Sequence, residues 1–135
     1  MTGRRAALLA VSAVQLAAGL AGVALSLRRR HAFDTPLLSG SAATVGRDTW
    51  WAGTALGPPA WTLAVHAGAL ARLAARPDPR AATVLAWVGA ALVPGYLQER
   101  LVRRRLTPAG AERAETAVVA VGLATAAAMA ALGRR

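Results

Sequence analysis

Charged side chains along this chain come in bursts, and between the bursts lie four uncharged runs at 6–27, 49–71, 81–98 and 116–133. The runs are 22, 23, 18 and 18 residues long. About 20 apolar residues in a helix cross ~30 Å of hydrocarbon. None of the runs alternates apolar and polar positions as a half-buried strand would. Backbone polar groups surrounded by lipid must pair within the chain, so each run is expected to be helical. A soluble bundle of alanine-rich helices would carry a charged face along each helix, and these runs carry none. The pattern predicts an all-α fold, a four-helix transmembrane bundle running up-down-up-down. It forms one integral membrane domain over 1–135, with spans of about 6–27, 49–73, 79–98 and 114–133. The fourth run is the weakest, its strongly apolar residues being Val118, Val119, Val121, Leu123, Met129 and Leu132.

Local signals place the boundaries. Arg4 and Arg5 before the first run resemble the start of a signal peptide. The run is too long for one, and it ends in Arg28, Arg29 and Arg30 without a small-residue cleavage pattern, so a retained anchor is expected. Asp78-Pro79 reads as an N-cap followed by a first-turn proline, and Thr107-Pro108 repeats the device for helix four. Helix three is expected to run on through Tyr96, Gln98 and Glu99 to about Leu106. Helices three and four would then extend beyond the bilayer as a hairpin, and short loops would join helices two, three and four. The long connection, 28–48, reads either as a short interfacial helix starting near Thr35-Pro36 or as an ordinary loop.

Composition sharpens this picture. The chain of 135 residues is 56% hydrophobic and 16% charged, with a net charge of +10 from sixteen basic residues against six acidic ones. Every basic side chain is Arg, while Lys, Cys, Asn and Ile are absent and Ala fills 36 positions. That codon-linked bias suggests a GC-rich, bacterial genome. The composition excludes a disordered tail, a disulfide scaffold, a cysteine-bound metal and a Schiff-base lysine. The arginines fit anionic lipid headgroups at the span ends, and no soluble element is long enough for a nucleic-acid surface. Nine arginines fall on the end that holds 28–48 and seven on the end that holds the termini. Such a balance leaves orientation in the cell membrane undecided by the positive-inside rule.

Candidate chemistry is sparse. No cofactor motif, metal-ligand spacing or catalytic signature is present, and the expectation is a protein that is not an enzyme. His66 is the sole titratable group deep in a run, and hairpin pairing places it opposite Trp87. It reads either as a ligand or proton site or as a neutral, packed imidazole. Gly57-Pro58-Pro59 and Pro94-Gly95 predict kinks at similar depth in helices two and three. With Gln15, Trp61 and Thr125 nearby and Tyr96 at the rim, they outline a candidate midplane pocket. All six acids fall outside the runs, which argues against transport coupled through a buried carboxylate. Small residues recur at spacing four in two ladders on helix one (Ala13, Ala17, Ala21 and Ala18, Gly22). Helix four carries two more (Ala120, Ala124, Ala128 and Gly122, Ala126, Ala130). One ladder of each pair would pack inside the subunit and the other against a copy or a membrane partner, which suggests an oligomer. Arg103 is expected to pair with Glu112 and Arg100 with Glu115, and Trp50-Trp51 read as interfacial anchors.

The leading functional expectation is an accessory or structural membrane component acting through helix contacts. The alternative is a small-molecule or lipid binding or transport protein using the pocket at His66, Trp87, Trp61, Pro58, Pro59, Pro94, Tyr96, Gln15 and Thr125. A lipid enzyme using His66 ranks third. The membrane assignment predicts that the expressed chain sediments with membranes and needs detergent to stay dispersed. A monodisperse peak on gel filtration in plain buffer would contradict it.

Overall fold

The computed structural model describes residues 2–134. Six helices follow in order: α1 (Gly3–Arg29), α2 (Val45–Asp48), α3 (Ala60–Ala75), α4 (Pro79–Gln98), α5 (Arg100–Arg105) and α6 (Arg113–Leu132). The chain is 70% helical. Among the described residues there are no strands, only isolated bridges between Ala32 and Thr54 and between Asp34 and Ser39. Three helices are long and apolar enough to cross a membrane, namely α1, α4 and α6, rather than the four expected.

The shortfall lies in the second run, whose helix starts at Ala60 and not near residue 49. Proline has no N–H and pushes the residue before it out of the α region, so the pair Pro58-Pro59 blocks two successive helical positions. The prolines therefore precede α3, with Pro59 as its N-cap residue, and do not kink it. What remains is 16 residues, about 24 Å of helix. A single Pro94 is tolerated inside α4.

Residues 49–59 take a non-helical path whose backbone is met by the protein. Thr54 N–H donates to the Gly57 carbonyl at 3.0 Å, Ala55 N–H to His31 at 3.2 Å and Ala60 N–H to Thr49 at 2.8 Å. Leu56 N–H donates to Ser26 Oγ at 3.2 Å. The connection 28–48 is mostly loop with the one-turn α2, and it folds over the bundle end. It buries Phe33 and Val45, and Phe33 meets Trp51 edge to face at 5.7 Å. Asp48 ties this cap together, accepting from Thr44 Oγ1 at 2.8 Å and Trp51 Nε1 at 3.2 Å. The Thr44 bond is the first cause holding its carboxyl below the usual range.

Two boundaries differ from the sequence expectation at the far end. Helix α4 stops at Gln98, and Glu99 in an extended conformation separates it from α5, so no continuous helix reaches Leu106. Helix α6 begins at Arg113 with Glu112 as its cap, accepting from Glu115 N–H at 2.8 Å, and not at Thr107-Pro108. The extended hairpin is thus a broken one. The Asp78-Pro79 start is as expected, with Asp78 Oδ1 accepting from Arg80 and Ala81 N–H at 2.9 and 3.1 Å.

The four longer helices pack in a closed cycle, α1 on α6, α6 on α4, α4 on α3 and α3 on α1. Glycines let backbones approach at the crossings. A Cβ on Gly22 would lie 2.0 Å from the Leu56 carbonyl oxygen, and one on Gly89 would lie 2.5 Å from that of Ala126. The inner ladder of each outer helix, including Ala18, Gly22, Gly122 and Ala126, is buried in these contacts, whereas Ala13, Ala17, Ala21, Ala120 and Ala124 are exposed.

Arginines close the helix ends. The final carbonyls of a helix lack intrahelical donors and carry partial negative charge. Arg5 donates to the Leu73 and Ala74 carbonyls of α3, Arg4 to Leu132 of α6, and Arg103 to Leu97 and Gln98 of α4.

Gly22→Ala is expected to cost about 1–3 kcal/mol through overpacking. Gly68→Ala, where a Cβ meets nothing within 4 Å, should instead stabilise α3 by about 0.5–1 kcal/mol. Thermal unfolding in detergent micelles reads both.

Candidate functional site

An apolar groove of about 490 Å³ runs along the outer face of the α3–α4 pair. Trp61, Thr62 and Val65 form one wall, and Val84, Trp87, Val88, Ala91, Leu92 and Gly95 form the other. The non-helical segment at Thr54–Pro59 closes one end together with Tyr96, Gln98 and Glu99. The geometry follows from the proline pair. Because α3 starts late, the last turns of α4 lack α3 as a neighbour on that side, and the segment 54–59 fills only part of the space. Trp61 and Trp87 flank the opening, 60% and 73% exposed.

Of the residues singled out in the sequence, Pro58, Pro59, Trp61, Trp87 and Tyr96 line this groove, while His66, Pro94, Gln15 and Thr125 do not. His66 and Trp87 are not brought together. His66 is 1% exposed, and its Nε2 lies 3.0 Å from the Ser12 carbonyl of α1. Trp87 points outward. Ser12 Oγ, close by, is buried without a hydrogen-bond partner among the described residues. Pro94 is exposed on α4.

Gln15, Tyr96 and Thr125 do meet, as a closed polar bridge across the bundle interior. Thr125 Oγ1 donates to Gln15 Oε1 at 2.7 Å, and Gln15 Nε2 donates to the Tyr96 hydroxyl at 3.3 Å. Gly122 leaves room for that hydroxyl, since a Cβ there would lie 2.6 Å from it. Tyr96 thereby links the groove to α1 and α6.

Sequence reasoning missed Glu99. It stands one residue beyond an uncharged run, yet the cap segment buries it to 7% exposure. Its Oε2 accepts from the Asp34 backbone N–H at 2.8 Å, and its Oε1 bonds no protein donor among the described residues. Burial is the main cause that raises its pKa to about 7. The Asp34 backbone bond and Arg103 pull the other way, and the Asp34 carboxylate adds to the rise. The sole signal in the sequence was a lone acid at a helix end.

Another buried acid, Glu115, is fully enclosed. Arg29 Nη1 donates to its Oε1 at 2.8 Å, His31 Nε2 lies 2.8 Å from the same oxygen, and Arg105 Nε bonds Oε2. Glu112 pairs with Arg29 at 3.1 Å, and Arg100 with Asp34 at 3.4 Å. The expected pairs Arg103–Glu112 and Arg100–Glu115 are absent. The break at Glu99 rotates α5 and sends Arg105 to Glu115, while Arg103 turns back to cap α4. This cluster ties α1, α5 and α6 together, and its charges are already matched.

Compared with known protein families, characterised proteins and solved structures, the chain finds no match.

Two outcomes follow. A carboxyl whose folded pKa lies above its unfolded value favours the folded state at low pH, so that stabilisation disappears as pH rises through the folded pKa. For Glu99 the loss spans the range from the ordinary carboxyl value up to about 7. Over that range the wild type should lose stability relative to Glu99→Gln, read as the difference in Tm against pH. Glu115→Ala should cost about 3 kcal/mol by leaving Arg105 unpaired in a partly buried site, more than Glu112→Ala; denaturant titration in micelles compares them.

Proposed function

We propose that this chain is a multi-pass integral membrane protein that holds an apolar or amphiphilic small molecule, such as a lipid, in the α3–α4 groove. It works by binding and not by catalysis. Helices α1, α4 and α6 cross the bilayer, and α3 with the extended segment before it makes the fourth, shorter pass of an up-down-up-down bundle. That segment suits membrane depth because the N–H groups of Thr54, Ala55 and Leu56 donate within the protein. The exposed tryptophans Trp50, Trp51, Trp61 and Trp87 suit an interfacial and lipid-facing surface, and the arginines at both ends suit anionic headgroups.

The single observation that carries the reading is the groove, about 490 Å³ of apolar, outward-facing space with polar groups at one end. Ligand sites are concave and mostly apolar, with a few polar groups that fix orientation. The outward ladders at Ala13, Ala17, Ala21, Ala120 and Ala124 are the surfaces on which a second copy or a partner helix would pack. His66 is bonded to a backbone carbonyl and to no acid among the described residues, which weighs against a lipid enzyme.

Nitroxide-labelled phosphatidylcholine tests the groove in dodecyl maltoside micelles. It should quench the tryptophan fluorescence of the wild type saturably. Ala91→Phe, which fills the groove from the exposed face of α4, should abolish the saturable component. Quenching that is linear with label, or equal in the two proteins, would refute the reading.

A further inference from the structure

The groove is electrostatically unlike the rest of the molecule. The protein carries sixteen arginines and a net charge of +10. Among the described residues, the groove lining nevertheless contains no basic side chain and one acid, Glu99. The basic groups nearest to it are already engaged. Arg103 Nη1 donates to the Leu97 and Gln98 carbonyls at 3.1 Å each. Arg100 Nε pairs with Asp34 Oδ2 at 3.4 Å. The segment 54–59 contributes no titratable side chain, and from α4 only Tyr96 and Gln98 stand beside the acid. One carboxyl oxygen of Glu99 is anchored by the Asp34 N–H, and the other is left for whatever enters the groove. Two exposed indoles flank the same opening.

We propose that the groove is selective for lipophilic cations: its ligand carries an apolar body along α4 and a positive centre, a quaternary or protonated amine or its equivalent, seated against Glu99. The inference deepens the groove reading and rests on it. A carboxylate in an apolar wall gains from a cation what it lost by desolvation. An anion meets the carboxylate and no compensating arginine, so the same site rejects it. Because burial shifts Glu99 towards neutral pH, the site is charged only on the alkaline side of that range, and cation binding strengthens as pH rises.

The test uses the full chain in dodecyl maltoside, an uncharged detergent, titrated calorimetrically with tetraphenylphosphonium and with tetraphenylborate. The two ions share shape and apolar surface and differ in sign. The wild type should bind the phosphonium about tenfold more tightly at about pH 8 than at about pH 5.5, and should not bind the borate measurably. Glu99→Gln keeps an oxygen for the Asp34 N–H and should weaken phosphonium binding about tenfold at the higher pH, with its pH dependence gone. Equal affinity in wild type and Glu99→Gln, equal binding of the two ions, or no phosphonium binding at all would overturn cation selectivity. If the labelled phosphatidylcholine still quenches saturably in that case, the groove reading survives and only the cation inference falls. If both probes fail, the groove itself is not a site.

Discussion

Two adjacent prolines govern the architecture. Neither Pro58 nor Pro59 can donate to a helix, and each disfavours helical backbone in the residue before it. An uncharged run long enough to cross a bilayer is thereby divided into an extended segment and a helix of 16 residues. The extended segment must find its hydrogen bonds elsewhere, and it finds them on Ser26 and His31, with a further bond closed onto Gly57 within the segment. Those bonds fasten the bundle end to the cap, and the cap in turn buries Glu99. The space beside α4 that a full-length helix would have filled becomes the groove.

The arginines divide into groups with different work. Some neutralise the carbonyl ends of helices, as Arg4, Arg5 and Arg103 do. Others converge on acids that the fold has buried, as Arg29 and Arg105 do at Glu115. The others among the described residues stay exposed at the two ends, where lipid headgroups would meet them. A high positive charge therefore coexists with a groove free of basic groups among the described residues. The engaged guanidinium groups are held by partners that leave them no reason to turn into it.

The polar interior is narrow and specific. Gln15, Tyr96 and Thr125 bridge three helices through a gap that Gly122 keeps open, and His66 is fixed to the backbone of α1. These groups set the register of the bundle, since each has its partner at one depth alone. Tyr96 belongs both to this bridge and to the groove wall, so anything bound in the groove touches a side chain that reaches the opposite helices.

Hydropathy and charge spacing alone determined that the chain is helical, that α1, α4 and α6 are apolar enough to cross a membrane, and that Asp78 caps α4. These are local properties, set by backbone solvation and by donors within a few residues. The tryptophans and Tyr96 were also legible as candidates, because large aromatics are rare in this alanine-rich chain. The late start of α3 was misread: a proline pair can kink a helix or end it, and only the partners available to the freed backbone decide which. The distance between His66 and Trp87, the pairing of Arg105 with Glu115, and the burial of Glu99 all depend on helix rotation and on how the cap folds back. Those are long-range arrangements. No spacing along the chain encodes them, because the atoms that desolvate Glu99 belong to segments from several parts of the sequence.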